Sequence, residues 1–158
     1  MGDLKFSLIG VEQLNAKLDS VSKDIKLKGG RFALRKAANV VATALKQNAR
    51  ALDNPETAES IEKNVAVRWS LKRFKRSGDL MFRVGIMGGA GGNKKSSDLE
   101  GLPGKDTRHW RHLEFGSSKN RAQPFARKSL VDNVGAATSE FVGQYNKAID
   151  RAIKRAKK

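Results

Sequence analysis

His109 and His112 stand three residues apart, with Asp106 and Glu114 beside them, an arrangement that could suggest a metal centre or a proton relay. Read as part of a strand, residues three apart point to opposite faces, so one ion could not take both imidazoles. A zinc centre also needs further nitrogen or thiolate ligands, and the chain holds no other histidine and no cysteine. Both histidines are therefore expected at a surface or an interface. The serines fare no better as nucleophiles, because none sits in a nucleophile-elbow setting. Glu114 lacks a second, apolar-flanked carboxylate for paired acid–base work; its expected role is a salt bridge or hydrogen bond to Arg111, Arg121 or Arg127. The glycines between 85 and 92, followed by Lys94, Lys95 and Ser96, invite a phosphate-loop reading. That loop needs its lysine directly after a fixed glycine, and here Asn93 intervenes with no apolar helix behind it. No catalytic residue, cofactor or metal is expected, and the chain does not read as an enzyme.

Charge says more. Lysine and arginine number 32 against 16 acids, a net +16 that repels itself unless an anionic partner lies close. Nucleic acid is the first candidate, an acidic protein the second and a membrane surface the third. Lys72, Arg73, Lys75 and Arg76 surround Phe74, and basic residues interleaved with an aromatic can grip nucleic acid. The same run could equally be a solvated edge whose charge discourages sheet aggregation. At the C-terminus, Arg151, Lys154, Arg155, Lys157 and Lys158 oppose a helix dipole. That effect is worth at most ~1 kcal/mol per surface charge and does not call for so many. The absence of cysteine excludes disulfides. No apolar run approaches the ~20 residues of a membrane span. The opening MGDLKFSLIG does not read as a signal peptide. The expectation is cytoplasmic synthesis and assembly, without a membrane.

The elements that must carry these residues follow from periodicity. Leu4 to Ile9 reads as a short strand. Val11, Leu14, Leu18, Val21 and Ile25 form a helical stripe, broken at Gly29-Gly30. An alanine-rich helix follows from about Arg31 to Leu52, with Leu34, Ala37, Val41, Ala44, Leu45 and Ala49 inward, and a short helix could occupy Pro55 to Glu62. Alternation predicts a β-hairpin: Val65, Val67 and Trp69 extending through Leu71–Arg76, a turn at Ser77-Gly78-Asp79, then Leu80, Phe82, Val84 and Ile86. Residues 88–106 show no periodicity and read as a flexible loop. Trp110–Phe115 reads as an aromatic strand ending at Gly116. From Pro124 a helix can run almost to the end, with Leu130, Val134, Ala137, Phe141, Tyr145, Ile149 and Ile153 on one face and possible bends at Gly135 and Gly143. The fold class is α+β: one domain over 1–158, a small antiparallel sheet packed by an N-terminal helix pair and a long C-terminal helix. Phe115 and Phe125 are expected to be buried together, with 116–123 as a clasp.

The order of motifs resembles one family, the tail-component or tail-completion (head–tail joining) proteins of long non-contractile-tailed phages. The resemblance rests on Gly10-Val11-x-x-Leu14, the helix Ala33-Leu34-x-x-Ala37-Ala38-x-Val40-Val41 with Asn48-Ala49-Arg50, then Pro55-Glu56-Thr57, Ser60-Ile61 and Asn64-Val65 before the first strand, and Phe82-Arg83-Val84-Gly85-Ile86. Its specific part is Trp110-Arg111-x-Leu113-Glu114-Phe115-Gly116-Ser117 followed by Ala122-x-Pro124-Phe125. The family often continues with a second proline–alanine pair where this chain has Lys128-Ser129. The resemblance implies a structural virion protein of the neck, without catalysis. It would complete the tail or join tail to head as a ring subunit, hexameric as in other tail-end proteins. Its neighbours would be tail-tube, terminator or head-connector proteins, with phage DNA passing through the channel. The competing reading is a small basic nucleic-acid-binding protein of DNA packaging or regulation, although the sequence carries no helix-turn-helix, zinc or RNA-binding motif.

Overall fold

The computed structural model describes residue 19 and residues 22–88 and 96–156. The expected Leu4–Ile9 strand, most of the Val11–Ile25 stripe, the glycine-rich part of the 88–106 loop, Lys157 and Lys158 lie outside them. The described residues form seven α-helices and one two-stranded antiparallel sheet. The fold is α+β with a long C-terminal helix.

A π-helical segment, Asp24–Gly29, runs directly into α1, Gly30–Arg50. The glycine pair therefore marks a crossing and not the expected break. A Cβ on Gly30 would stand 3.0 Å from Leu80 Cδ1 and 3.7 Å from Tyr145. α1 buries Leu45 and the small residues Ala33, Ala37, Ala42 and Ala49, which let its neighbours approach closely. Asp53 then starts the one-turn helix α2, Ile61–Asn64, by accepting the Ile61 N–H at 2.8 Å and the Glu62 N–H at 3.2 Å. The helix expected over Pro55–Glu62 thus begins later, after a turn.

Strand β1, Val65–Trp69, pairs with β2, Phe82–Ile86, in the register Val65↔Ile86 to Trp69↔Phe82. The hairpin is present, but its connection is not the expected glycine turn. Leu71–Ser77 forms a helix, α3. Phe74 is drawn back onto Trp69, with ring centroids 5.4 Å apart, and Gly78 ends the helix at φ 73. Alternation of apolar and basic residues over so short a run did not distinguish strand from helix.

Residues 96–106, aperiodic in the sequence, hold a short helix, α4, Ser96–Glu100, whose Leu99 is 0% exposed. Trp110–Phe115 is also a helix, α5, and not a strand. Trp110, Leu113 and Glu114, at helical spacing, turn inward, while Arg111, His112 and Phe115 face outward. Aromatic content suggested a strand because β propensity reflects packing context more than intrinsic backbone preference. The expected long last helix is two: α6, Phe125–Val131, and α7, Val134–Ala156. The interruption falls at Asp132-Asn133 and not at Gly135 or Gly143. There the Asn133 side chain donates to the Ser129 carbonyl at 3.0 Å, competing with the helical ladder. Both α6 and α7 pack on α1. The core gathers Ala42, Leu45, Ala49, Ile61, Val65 and Phe125.

Candidate functional site: the Glu114 clasp, the open groove and the basic end

Glu114 is 1% exposed and sits at the start of α6. Its carboxylate accepts the Ala126 N–H at 2.8 Å, the Arg127 N–H at 3.2 Å and Arg127 Nε at 2.9 Å. Arg127 also donates to the Glu114 carbonyl oxygen at 3.1 Å. Of the three arginines the sequence offered, Arg127 is the partner. The first turn of a helix leaves N–H groups unpaired, and a carboxylate there satisfies them and opposes the dipole.

The remaining motif residues build this clasp. Gly116 leaves α5 at φ 80, and a Cβ there would press on Ala122 N at 2.9 Å. Gln123 N–H returns to the Leu113 carbonyl at 2.7 Å, and Pro124 precedes the first residue of α6. Phe125, 6% exposed, enters the core, and Trp110 and Leu113 pack against it. Phe115 does not join Phe125 inside. It is 63% exposed, with the Arg127 guanidinium 5.3 Å from its ring centre. Helical spacing is the reason: Glu114 faces inward, so Phe115 is turned out.

Beside the clasp lies an open apolar groove of about 620 Å³, bounded by α1, β2, α5, α6 and α7. Val41, Val84, Ile86, Trp110, Phe115 and Leu130 line it. The Trp110 indole N–H is buried without an acceptor among the described residues. Leu130, Val131 and Val134, at the α6–α7 junction, are exposed.

Asn64, which in the sequence marks only the approach to the first strand, is 0% exposed and ties two distant segments together. Its Nδ2 donates to the Lys105 carbonyl at 2.9 Å and to Thr107 Oγ1 at 2.8 Å, while its Oδ1 accepts the Gly104 N–H at 2.8 Å. A single asparagine gives no periodic signal, so only the fold reveals it. Nearby, Arg50 and Glu62 form a two-pronged pair at 2.8 and 2.7 Å, holding the Glu62 carboxyl below its ordinary range. His109 lies 3.4 Å from Glu59. On a helix His109 and His112 no longer diverge as they would on a strand, yet among the described residues no group of three metal-ligating side chains assembles.

The basic candidates of the hairpin lie toward the opposite end of α1. Arg31 covers Trp69 at 4.5 Å, which places the α3 end of the hairpin beside the start of α1. Tyr145 also packs there, and α7 runs on from it to Lys154 and Arg155. Lys72, Arg73, Lys75, Arg76, Lys154 and Arg155 are all exposed. Phe74 is not available as a stacking platform, because it packs on Trp69, which in turn packs on Phe82 at 5.1 Å.

Against known families, residues 12–116 match the model described as "Bacteriophage HK97-gp10, putative tail-component". The chain belongs to this family. The match contains Glu114-Phe115-Gly116 and stops before Pro124-Phe125, so Glu114 fastens the matched region to the helix beyond it. No curated protein and no solved structure matched the chain. Among the described residues no helix is long and apolar enough to cross a membrane.

Proposed function

We propose that this tail component is a non-catalytic subunit of the neck or tail end of a long non-contractile-tailed phage. It completes the tail or joins it to the head as a ring around the DNA channel, with residues 1–158 acting as one domain. The observation that carries this reading, given the family, is the open apolar groove with Phe115 and Leu130 exposed at it. Contiguous apolar surface of this kind marks a contact with another protein. Its neighbours are further copies of itself, in a ring that is hexameric if it follows other tail-end proteins, and tail-tube, terminator or head-connector proteins. Trp110, Leu113, Glu114, Gly116, Pro124 and Phe125 shape the subunit, and Phe115 belongs to the contact.

The test is assembly. Phages lacking the protein should accumulate separate heads and tails, and complementation with wild type should restore particles carrying it at the neck. Phe115→Ser and Leu130→Ser should give folded protein that fails to complement. Normal particle assembly without the protein would overturn the reading. A monomer binding one DNA sequence tightly would favour the packaging or regulatory alternative.

A further inference from the structure

We propose that the outer face of the β1–β2 hairpin, together with the exposed side of α3, is a contact surface for the phosphate backbone of double-stranded DNA. Arg68 and Arg83 are partners across the antiparallel ladder, and both are exposed. Like charges directly opposite each other destabilise a sheet. An arginine opposite a glutamate would guard the sheet edge as well and would strengthen the ladder. Among the described residues the hydrogen-bond partner of the Arg68 side chain is the Met87 sulfur, at 3.1 Å, and neither arginine forms an ion pair.

The helix beside this pair repeats the pattern. Lys75 and Arg76 lie in the last turn of α3, where cations suit the dipole, but Lys72 and Arg73 occupy its first turn, where they oppose it. Between Glu62 and Asp98 the chain has one acid, Asp79. Asp79 already accepts Ser77 Oγ at 2.8 Å and Arg73 Nε at 3.1 Å. Local electrostatics therefore work against this cluster twice, and an external polyanion is what relieves both.

Geometry selects the partner. On the same face of the ladder the next pair is Ala66↔Gly85, and a Cβ on Gly85 would meet nothing within 4 Å. This low floor lets a broad polymer approach, and arginine forks match phosphate oxygens. Single strands are held largely by stacking on aromatic rings, and Trp69, Phe74 and Phe82 are packed on one another. A protein interface is built around an apolar centre, whereas Leu71 is the only exposed large apolar side chain between residues 65 and 88. Duplex phosphates fit this surface best.

This inference goes beyond the tail reading and is tested without the phage, so either can fail alone. Binding of the full chain to a labelled mixed-sequence duplex, the matching single strand and polyglutamate is measured at about 50 and 200 mM salt. For about four phosphate contacts, duplex affinity should fall on the order of 100-fold across that range, with little dependence on sequence. Arg68→Gln/Arg83→Gln should lower the slope of log affinity against log salt by about two. The charge-matched variant Arg35→Gln/Lys46→Gln, altered on exposed positions of α1, should leave the slope in place. An unchanged slope in the Arg68/Arg83 variant, or single-strand binding tighter than duplex, would overturn the proposal. Polyglutamate binding as tightly as the duplex would overturn it in favour of an acidic protein.

Discussion

The two ends of α1 use charge in opposite ways. At its C-terminal end nearly every polar group has a partner inside the molecule: Asp53 starts α2, Glu62 holds Arg50, and Asn64 binds three groups of the 104–107 segment. At its N-terminal end Arg68 faces Arg83 across the ladder, and α3 carries four exposed cations against one acid. A buried polar group left unpaired costs ~1–3 kcal/mol, so the partners of the buried Asn64 contribute directly to folding. Exposed charges are screened and cost little, so the second end can remain unbalanced until a partner arrives. The first end serves the fold, and the second is where we propose that a polyanion binds.

The sharpest break in that comparison is Phe125→Ala, beside the complete end. Losing a core ring should cost about 3–5 kcal/mol. Phe115→Ala should cost under ~1 kcal/mol, since its ring is largely exposed and meets Arg127 and Trp110 only at 5.3 and 6.5 Å between centres. Paired denaturant melts check this, and equal losses would return Phe115 to the core. Next, Asn64→Ala should cost roughly 2–4 kcal/mol by leaving Gly104 N–H, Lys105 carbonyl and Thr107 hydroxyl without their partner. Hydrogen exchange should rise first at 104–107; a rise confined to the helix termini would mean that Asn64 is not the tie.

The unbalanced end should respond with the opposite sign. Arg83→Gln removes a like-charge pair and should raise stability by about 0.2–1 kcal/mol. A lowered melting temperature would show that the two arginines stabilise the ladder in a way their charges do not explain. The smallest effect is at the Arg50–Glu62 pair, where the arginine's hydrogen bond lowers the Glu62 pKa. A lowered carboxylate pKa contributes stability above its ordinary range, and that contribution is lost as pH falls through the folded value. The difference between wild type and Glu62→Gln should therefore be present at neutral pH and vanish in acid. A difference independent of pH would assign the effect to packing.

Periodicity over long segments was legible in the sequence. The alanine stripe of α1 and the apolar face of α7 extend over enough residues for a single period to stand out, and β1 and β2, though short, alternate strictly. The Glu-Phe-Gly and Pro-Phe motifs marked the clasp, because a glycine at positive φ and a proline before a helix are local requirements. Short segments were ambiguous. Leu71–Ser77 and Trp110–Phe115 fit either period, and the contact of Phe74 with Trp69 and the inward turn of Glu114 made them helices.

The sequence by itself determined the class of fold, its longest elements, the excess of positive charge and the likeness to a phage tail component. Each of these is a sum or a period that the linear chain already contains. Only the tertiary structure decided that Glu114 chooses Arg127, that Phe115 faces out while Phe125 faces in, and that Asn64 ties α2 to residues 104–107. It also placed Arg68 opposite Arg83 toward the end of α1 where the hairpin's other cations lie. These are pairings between residues distant in sequence, and strand register and helix crossings set them.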